Sequence, residues 1–441
     1  MHQPRRILFI SGSIGLGHAG RDLAIAEQLR RRRPGLEIDW LAGHPATRLI
    51  EEAGESILPE AAAFEDTGFA EDSAEGFSLN ITRYASHAGR AWARAARQVL
   101  EVTRRRSYDM VVGDETYELA IAFALWPRLK KLPWVIIYDF FGLDAMTRNP
   151  LERGVVGGLN RIWCGGRRAK RPPFDLTLFV GELDDVPDAA LGWRLPNARG
   201  YARRHFQFTG YALGFDPAAC SDRHTLRKTL GYNEHPLVVC SVGGTAVGAD
   251  LLHRCVAAYP RVRARVANAR MVVVCGPRID PAVIRAPDGV QVRGYVPRLY
   301  EHFAACDVAV VQGGGASTLE LTALRRPFLY FPLEGHAEQN LVVAKRLARH
   351  RAGCRQIYSQ TTPAALADAI VSQLGRKPTW SPIPTEGAHR AAELIDRLLQ
   401  ATAPLGNRRA KAAGGPGPTL ANATTINRQL SHEEYDAHNA R

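Results

Sequence analysis

Short runs of apolar residues, separated by stretches with helical periodicity, recur along this chain of 441 residues. The runs are continuous rather than alternating, which is typical of parallel strands covered by helices on both faces. They therefore predict an α/β fold built on parallel sheets. The runs form two series, the first at residues 7–10, 38–41, 110–112, 134–138, 176–180 and 206–209, and the second at 237–242, 271–275, 290–292, 308–311 and 328–331.

Two domains follow from these two series. A chain of this length exceeds one ordinary hydrophobic core, and each series is sufficient for one Rossmann-like domain. We predict an N-terminal domain over residues 1–212 and a C-terminal domain over 237–400, joined by a polar, turn-rich linker at 213–236. Residues 401–441 are rich in Ala, Gly, Pro, Asn and Thr. Because such a segment buries too little apolar surface to fold, we predict a disordered tail.

Composition narrows the function classes. Seven cysteines lie far apart in the sequence, with neither a Cys-x-x-Cys pair nor the spacing of a zinc site. This pattern favours a reducing compartment and no metal centre. No apolar run approaches the ~18 residues of a membrane-spanning helix, so we expect a cytoplasmic protein. The formal net charge of +13 favours anionic partners such as nucleotide diphosphates or acidic lipids.

The first apolar run ends in a glycine-rich turn. Residues 15–20 read Gly-Leu-Gly-His-Ala-Gly, which matches the spacing of a dinucleotide-binding turn at the start of a helix. However, the second run ends without the acidic residue that binds the ribose of NAD, so a dehydrogenase is disfavoured. The unusual member of the turn is His18. An imidazole at the mouth of a cleft suits a general base, and the structural alternative is a histidine that caps the helix start.

Three carboxylates stand where an orienting partner for His18 is expected. Asp114 and Glu115 follow the run at 110–112, and Asp139 follows the run at 134–138. The carboxyl ends of parallel strands meet at one edge of a sheet, where the sites of α/β proteins form. Any of the three can hold the imidazole, and each can instead cap a following helix.

The strongest local feature is the segment 312–320, Gln-Gly-Gly-Gly-Ala-Ser-Thr-Leu-Glu, directly after the run at 308–311. Its glycines expose backbone N–H groups, its hydroxyls add donors, and the helix that begins here directs its positive end at an anion. Glu320, one turn in, is suited to the two hydroxyls of a ribose. No Gly-Lys-Ser/Thr follows the glycines, so the segment is not a P-loop.

Two further segments of the second series suit a nucleotide sugar. Residues 241–245, Ser-Val-Gly-Gly-Thr, end a strand with small residues and a hydroxyl, as in a phosphate-binding turn. Downstream, the cluster at 334–340 places polar side chains at the start of a helix. Glu338 and Gln339 have the bidentate geometry that sugar hydroxyls require, and a capping cluster is the alternative for any one of them.

Together these motifs resemble the donor signature of inverting GT-B glycosyltransferases. The resemblance rests on 312–320, on Pro327 and on Glu-Gln-Asn at 338–340, and the Gly-His at 17–18 is similar to that of the same families. Gly-Tyr-Val-Pro at 294–297 resembles the turn that holds the nucleotide base. The relevant families are the UDP-glycosyltransferases of natural products and the peptidoglycan lipid-intermediate N-acetylglucosaminyltransferases. The resemblance implies two Rossmann-like domains that face an interdomain cleft.

Residue by residue, the resemblance implies that His18 is the catalytic base and Asp114 its partner. It also implies that Gly314, Ser317 and Thr318 bind the diphosphate, Glu320 the ribose, and Glu338 with Gln339 the sugar. Plant-type relatives have His in place of Gln312, so we expect another donor, such as an arginine, to supply the missing charge. The full set of implied donor-binding residues is Gly243, Gly244, Thr245, Val296, Gln312, Gly313, Gly314, Gly315, Ser317, Thr318, Glu320, His336, Glu338 and Gln339.

The implied activity is inverting transfer of a hexose-type sugar from a UDP or dTDP sugar to a hydroxyl or amine. The acceptor is a small molecule or a lipid-linked one, as in natural-product or cell-envelope biosynthesis, and no metal or other cofactor is expected to be obligatory. The main alternative is a nucleotide-sugar epimerase of the same double-Rossmann plan. A noncatalytic binder is a third hypothesis. No RNA-binding motif with interleaved aromatics is present, so we predict no nucleic-acid partner.

The sequence says little about the acceptor. Basic residues at 90, 94, 97 and 104–106 lie near one face of a helical stretch, and apolar residues at 84, 88, 92, 95 and 99–100 lie on the other. Such a helix suits peripheral contact with an anionic membrane, or it packs on the core with a solvated basic face. Residues 143–171 have no counterpart in the resemblance, and their basic run at 167–171 is a second candidate for contact with an anionic acceptor.

Overall fold

The computed structural model describes residues 4–12, 16–64, 74–75, 78–79, 81–143, 149–165, 171–244, 247–336 and 338–402. For residues 74–75, 78–79, 81–90 and 151–152 it describes the backbone alone. The predicted disordered tail beyond residue 402, the predicted site residue Thr245 and most of the basic run at 167–171 lie outside the described residues.

The N-terminal half is built on one sheet of six parallel strands in the order β2-β1-β5-β6-β7-β8. Each of the six apolar runs of the first series forms one of these strands, so the predicted parallel sheet is confirmed. A short antiparallel hairpin, β3 and β4, is separate from it. The strands of this half are β1 (Arg6–Ser11), β2 (Glu37–Ala42), β3 (Ala74–Glu75), β4 (Ser78–Leu79), β5 (Met110–Asp114), β6 (Trp134–Tyr138), β7 (Leu176–Phe179) and β8 (Gln207–Phe208).

Helices cover both faces of this sheet. Because side chains alternate across a strand, Leu8 and Ile10 pack on one face, while Ile7 and Phe9 pack on the other. The region at 143–171, for which the resemblance offered no counterpart, supplies a helix whose Trp163 is buried in the first of these faces. The helices of this half are α1 (Leu16–Arg32), α2 (Ala46–Glu52), α3 (Ile81–Arg105), α4 (Tyr117–Leu125), α5 (Pro150–Trp163) and α6 (Ala198–His205).

The C-terminal half repeats the plan with a second sheet of six parallel strands, in the order β11-β10-β9-β12-β13-β14. The five runs of the second series form five of these strands, and β14 was not predicted. The strands are β9 (Leu237–Ser241), β10 (Arg270–Val274), β11 (Val290–Arg293), β12 (Val308–Gln312), β13 (Phe328–Phe331) and β14 (Cys354–Arg355). The helices from here on are α7 (Arg223–Thr229), α8 (Ala249–Arg265), α9 (Leu299–Ala305), α10 (Gly315–Ala323), α11 (Ala344–His350), α12 (Pro363–Gln373) and α13 (Gly387–Ala401).

The segment predicted as a linker is in part a component of the C-terminal half. Arg227 in α7 is 2% exposed and donates to the backbone oxygen of Ala305 at 2.9 Å and to Asp307 at 2.8 Å. These contacts fix α7 on the second sheet, because a buried guanidinium needs acceptors for its donors. The linker between the two halves is therefore shorter than the predicted span of 213–236.

The last helix departs from the predicted domain assignment. We placed residues up to 400 in the C-terminal domain, but α13 packs on the N-terminal sheet, where Ala391, Ile395 and Leu399 share a buried cluster with Ile7 and Phe9. The amphipathic pattern of the helix specifies an apolar face and not the sheet that covers it. The chain thus crosses between the halves twice. The two crossings are hydrogen-bonded together, since Tyr211 N donates to Pro384 O at 3.1 Å.

Helix α3 contains the basic amphipathic pattern. From residue 91 onward its apolar face, including Ala96, Val99 and Val102, is buried in the N-terminal core. Arg97 on the opposite face pairs with Glu101 at 3.0 Å. This part of the helix therefore packs on the core with a solvated basic face. In the ranges given above, no helix is both long enough and apolar enough to cross a bilayer.

Candidate active site

The first turn of α1 places His18 beside a carboxylate at the end of β5. Strands β1 and β5 are parallel neighbours in the sheet, so the loop after β1 lies next to Asp114, the last residue of β5. Nδ1 of His18 is 2.9 Å from Oδ2 of Asp114. Asp114 is thus the carboxylate, of the three considered from the sequence, that contacts the imidazole directly. When Nδ1–H donates to Asp114, the lone pair that can accept a proton is on Nε2.

Arg21, which the sequence interpretation did not single out, connects the acidic residues around the imidazole. One guanidinium nitrogen donates to Asp139 at 2.7 Å, and the other donates to Oδ1 of Asp114. The second nitrogen also lies 2.8 Å from Nδ1 of His18. The Arg21 nitrogen and Nδ1 of His18 are both donors when Nδ1 is protonated. Asp114 accepts from each of them with a different oxygen and so holds the two side chains together. Arg21 stands three residues after His18, on the same face of α1.

The charges of this group set the pKa of the imidazole. Burial and the charge of Arg21 lower the pKa of His18, but the charges of Asp114 and Asp139 and the hydrogen bond to Asp114 raise it by more. The net pKa of His18 therefore lies above its usual value. Burial raises the pKa of Asp114, but the charges of Arg21 and His18 outweigh burial, so the net pKa lies below the usual range of an aspartate. The imidazole is a stronger base than a free histidine.

Glu115, the second carboxylate of the sequence hypothesis, lies farther from the imidazole than Asp114 does. Oε2 of Glu115 is 4.0 Å from Nε2 of His18. Burial and the neighbouring charge of Asp139 raise the pKa of Glu115 well above its usual value. Ligand atoms of His18, Glu115 and Asp139 lie within 4.8 Å of one another, an arrangement that a cation could share. Asp139 already accepts from Arg21, which supplies the positive charge here.

The predicted donor loop begins at the end of β12, and α10 follows it. Gly314 caps the helix without a side chain, so the first N–H groups of α10 face the cleft with no intrahelical acceptor. Gly315 and Ser317 line that cleft. Thr318 is fully buried, and its hydroxyl donates to the backbone oxygen of Gly314 at 2.7 Å rather than into the cleft. Gly313 is buried against Pro332, because a Cβ there would lie 2.8 Å from the proline Cα.

Gln312 is 6% exposed and holds a neighbouring loop. In the amide orientation that satisfies both ends, its nitrogen donates to Val247 O at 2.9 Å and to Val242 O at 3.2 Å. These bonds consume both hydrogens of the amide. Gln312 lines the cleft, as predicted, but its donors are directed at protein backbone and not at a phosphate position.

The remaining predicted donor residues surround the same cavity. Burial raises the pKa of Glu320 to about 8 and lowers that of His336 to about 4. Burial and the charge of Asp139 raise the pKa of Glu338 to about 7. Gln339 is buried, and its side-chain oxygen accepts from Leu333 N at 2.8 Å, which fixes the amide.

These residues line one cleft between the two halves, with a volume of about 600 Å³. A cleft of this size is typical of a small-molecule site. The structure brings together there most of the site residues predicted from the sequence: His18, Gly243, Gly244, Val296, Gln312, Gly314, Gly315, Ser317, Glu320, His336, Glu338 and Gln339.

The two halves touch where α1 and α10 begin. Gly17 stands against Ala316, and a Cβ on Gly17 would lie 2.2 Å from the Cβ of Ala316. Only glycine permits this approach. His18, the next residue, therefore lies beside the first turn of α10. The side of the cleft that holds the imidazole and the side that attracts an anion meet at one point.

Comparison with known proteins agrees with this geometry. A family model described as "Glycosyl transferases group 1" matches residues 236–375, the half that carries α10. The UDP-N-acetylglucosamine--N-acetylmuramyl-(pentapeptide) pyrophosphoryl-undecaprenol N-acetylglucosamine transferase of Mycobacterium avium is 25% identical over 95% of this chain and 93% of its own length. The solved glycotransferase of kitacinnamycin has a TM-score of 0.55 at 17% identity and covers 97% of this chain and 100% of its own. CalG4, the calicheamicin glycosyltransferase, has a TM-score of 0.54 at 17% identity, with coverage of 91% and 100%.

The chain is a GT-B glycosyltransferase. The double-Rossmann fold and the transferase class expected from the sequence are both confirmed.

Two arginines of this GT-B glycosyltransferase escaped the sequence interpretation. Arg21 carries a detectable signal, since it stands at helical spacing after His18 in the same motif. Arg346 lines the cleft from α11 and donates to the backbone oxygen of Gly315 at 3.0 Å. No motif marks Arg346, because 31 residues separate it from its contact on α10.

Proposed function

We propose that this GT-B glycosyltransferase transfers a hexose-type sugar from a UDP or dTDP sugar to a hydroxyl or amine, with inversion at the anomeric carbon. The acceptor is a small molecule or a lipid-linked one, and it binds to the N-terminal half. The observation that carries the proposal is the placement of the His18–Asp114 pair beside the first turn of α10. A base and an anion-attracting helix end on either side of one cleft are what a single displacement requires.

The chemistry balances with the groups at hand. Nε2 of His18 takes the proton of the acceptor hydroxyl as its oxygen bonds to the anomeric carbon. The bond from that carbon to the β-phosphate oxygen breaks, and its electron pair leaves with the nucleoside diphosphate. The positive end of α10 stabilises the departing charge. Asp114 stabilises the imidazolium that forms. One displacement at the anomeric carbon inverts its configuration.

The relatives support both acceptor classes. The Mycobacterium avium relative is named for transfer to a pyrophosphoryl-undecaprenol acceptor, and CalG4 is named for calicheamicin. The positive charge of this chain suits an acceptor that carries phosphate on a lipid at the cytoplasmic face of a membrane. We therefore include peripheral membrane contact in the proposal.

A test begins with the donor. A thermal-shift panel of UDP-, dTDP-, GDP- and ADP-sugars identifies the nucleotide, and an acceptor screen with the best donor follows. His18→Ala should lower kcat by about 10²- to 10⁴-fold and leave the Kd for the nucleoside diphosphate unchanged. Proton NMR of the product should show the anomeric configuration opposite to that of the donor. Undiminished transfer by His18→Ala would exclude this base, and retained configuration would exclude the single displacement.

Two further outcomes would contradict the proposal. A changed nucleotide sugar released without any acceptor, detected by NMR with full mass balance, would indicate an epimerase. Activity lost in EDTA and restored by a divalent cation would show that a metal, and not the helix end, stabilises the leaving group.

A further inference from the structure

Arg346 is a buried cation that faces the cleft. The side chain arises from α11, is 6% exposed and lines the cavity. One terminal nitrogen donates to the backbone oxygen of Gly315 at 3.0 Å, and Nε has no hydrogen-bond partner. The Tyr211 ring lies 5.7 Å from the centre of the guanidinium. Donors of this side chain are therefore left for a ligand.

Arg346 differs from the other arginines of the cleft in its pairing. Arg21 contacts Asp114 and Asp139, while Arg30 and Arg298 pair with Glu55 and Glu301. Arg346 makes no ion pair with any residue that the structure describes. Burial raises the pKa of Glu338 and the charge of Arg346 opposes that rise, but no described carboxylate forms a direct ion pair with the guanidinium. Burying a charge without a direct partner is costly, so a guanidinium retained in this position indicates an anionic partner supplied by a ligand.

The site of contact identifies which anion. Gly315 belongs to the first turn of α10, whose free N–H groups attract a phosphate. Carboxylates are close to the same point, because a Cβ on Gly315 would lie 3.7 Å from Glu338 Oε1 and 4.0 Å from Asp139 Oδ2. Arg21 already balances the charge of Asp139, but Glu338 repels an anion when it is ionised, and Gln312 adds no charge to oppose it. Arg346 is placed to supply that charge.

We propose that Arg346 binds the β-phosphate of the donor and stabilises the charge that develops on the leaving nucleoside diphosphate. This inference rests on the proposed function. A guanidinium binds phosphate through two parallel hydrogen bonds and remains charged at every working pH.

The test compares a nucleoside diphosphate with its monophosphate. Isothermal titration calorimetry gives the Kd of UDP and UMP, with dTDP and dTMP in parallel, for the wild type and for Arg346→Gln. We expect the Kd of the diphosphate to rise about tenfold to a hundredfold and that of the monophosphate to change little. The ratio of the two Kd values is the readout, because partial unfolding affects both ligands equally. Arg346→Lys should keep most of the wild-type ratio.

A matched control is the neighbouring exposed residue Lys345. Lys345→Gln removes the same charge one position away and should leave the ratio unchanged. An unchanged ratio of the two Kd values in Arg346→Gln would overturn the inference and leave the proposed function intact. So would an equal change of this ratio in Lys345→Gln. A loss confined to a UDP-uronic acid, with UDP binding intact, would also overturn it and assign Arg346 to a sugar carboxylate. A wild-type protein that binds no nucleoside diphosphate would overturn the proposed function and the inference together.

Discussion

At the scale of single residues, the properties of the proposed base, His18, depend on one carboxylate. Oδ2 of Asp114 contacts His18, and its charge opposes the two influences that lower the pKa of the imidazole, burial and Arg21. Because the base must be neutral to accept a proton, activity should rise with pH through the raised pKa of His18. Arg21 neutralises the surrounding carboxylates and orients Asp114.

Asp114→Asn tests this arrangement through the pH profile. With the carboxylate charge removed, burial and Arg21 lower the pKa of His18, so the acidic limb of kcat/KM should move about 1–3 units toward lower pH. The maximal rate should fall as well, since the imidazolium loses its stabilising partner. The measurement is kcat/KM against pH for both proteins. An acidic limb that stays in place would show that Asp114 does not control the base.

At the scale of elements, the active site depends on how closely two helices approach. The N-termini of α1 and α10 meet at Gly17 and Ala316, and this contact places the imidazole next to the proposed diphosphate position. Geometry of this kind is sensitive to small displacements, since about 1 Å of misplacement can cost about a hundredfold in rate.

Gly17→Ala should therefore lower kcat by about a hundredfold, because the added methyl meets Ala316 and separates the helices. The assay is sugar transfer at saturating donor, with thermal unfolding to confirm the fold. Gly20→Ala is the control on the same helix, where the new Cβ meets Leu49 at an ordinary 3.8 Å. Ala316→Gly in the Gly17→Ala background should restore the rate. Full activity in Gly17→Ala alone would contradict the proposed contact.

At the scale of the whole molecule, an ion-pair cluster connects the two halves. Arg349 in α11 donates to Glu182 and to Asp185, both at 2.7 Å, and Tyr211 donates to Asp185 at 2.9 Å. Hydrogen bonds from His350 and Arg349, together with the charge of Arg349, lower the pKa of Glu182 to about 2 despite burial, which raises it.

The depressed pKa of Glu182 predicts an acid-sensitive contribution to stability. A carboxyl whose folded pKa lies below its unfolded value of about 4.3 stabilises the protein above that pH. That stability is lost as the pH falls from about 4.3 toward about 2. The wild type should thus lose more free energy of unfolding between about pH 5 and about pH 3 than Glu182→Gln, as measured by urea denaturation. Glu51→Gln, at an exposed position, is the control. Equal losses in wild type and Glu182→Gln would exclude the contribution.

The strands and the two main motifs of the site could be predicted from the sequence alone, because the information that specifies them lies in adjacent residues. Each apolar run must be buried on both faces, so each parallel strand could be predicted from its own residues. The donor loop at 312–320 and the Gly17-His18 turn are contiguous, and their chemistry is visible in a few adjacent residues.

The tertiary structure decided what depends on distant neighbours. Asp114, Glu115 and Asp139 could not be ranked until the pairing of β1 with β5 placed one of them against the imidazole. Helix α13 has an apolar face that either half could have buried, and only packing assigned it to the N-terminal one. Arg346 contacts α10 through the tertiary fold, 31 residues away in sequence, so no spacing in the sequence could mark the cation that we propose for the donor site.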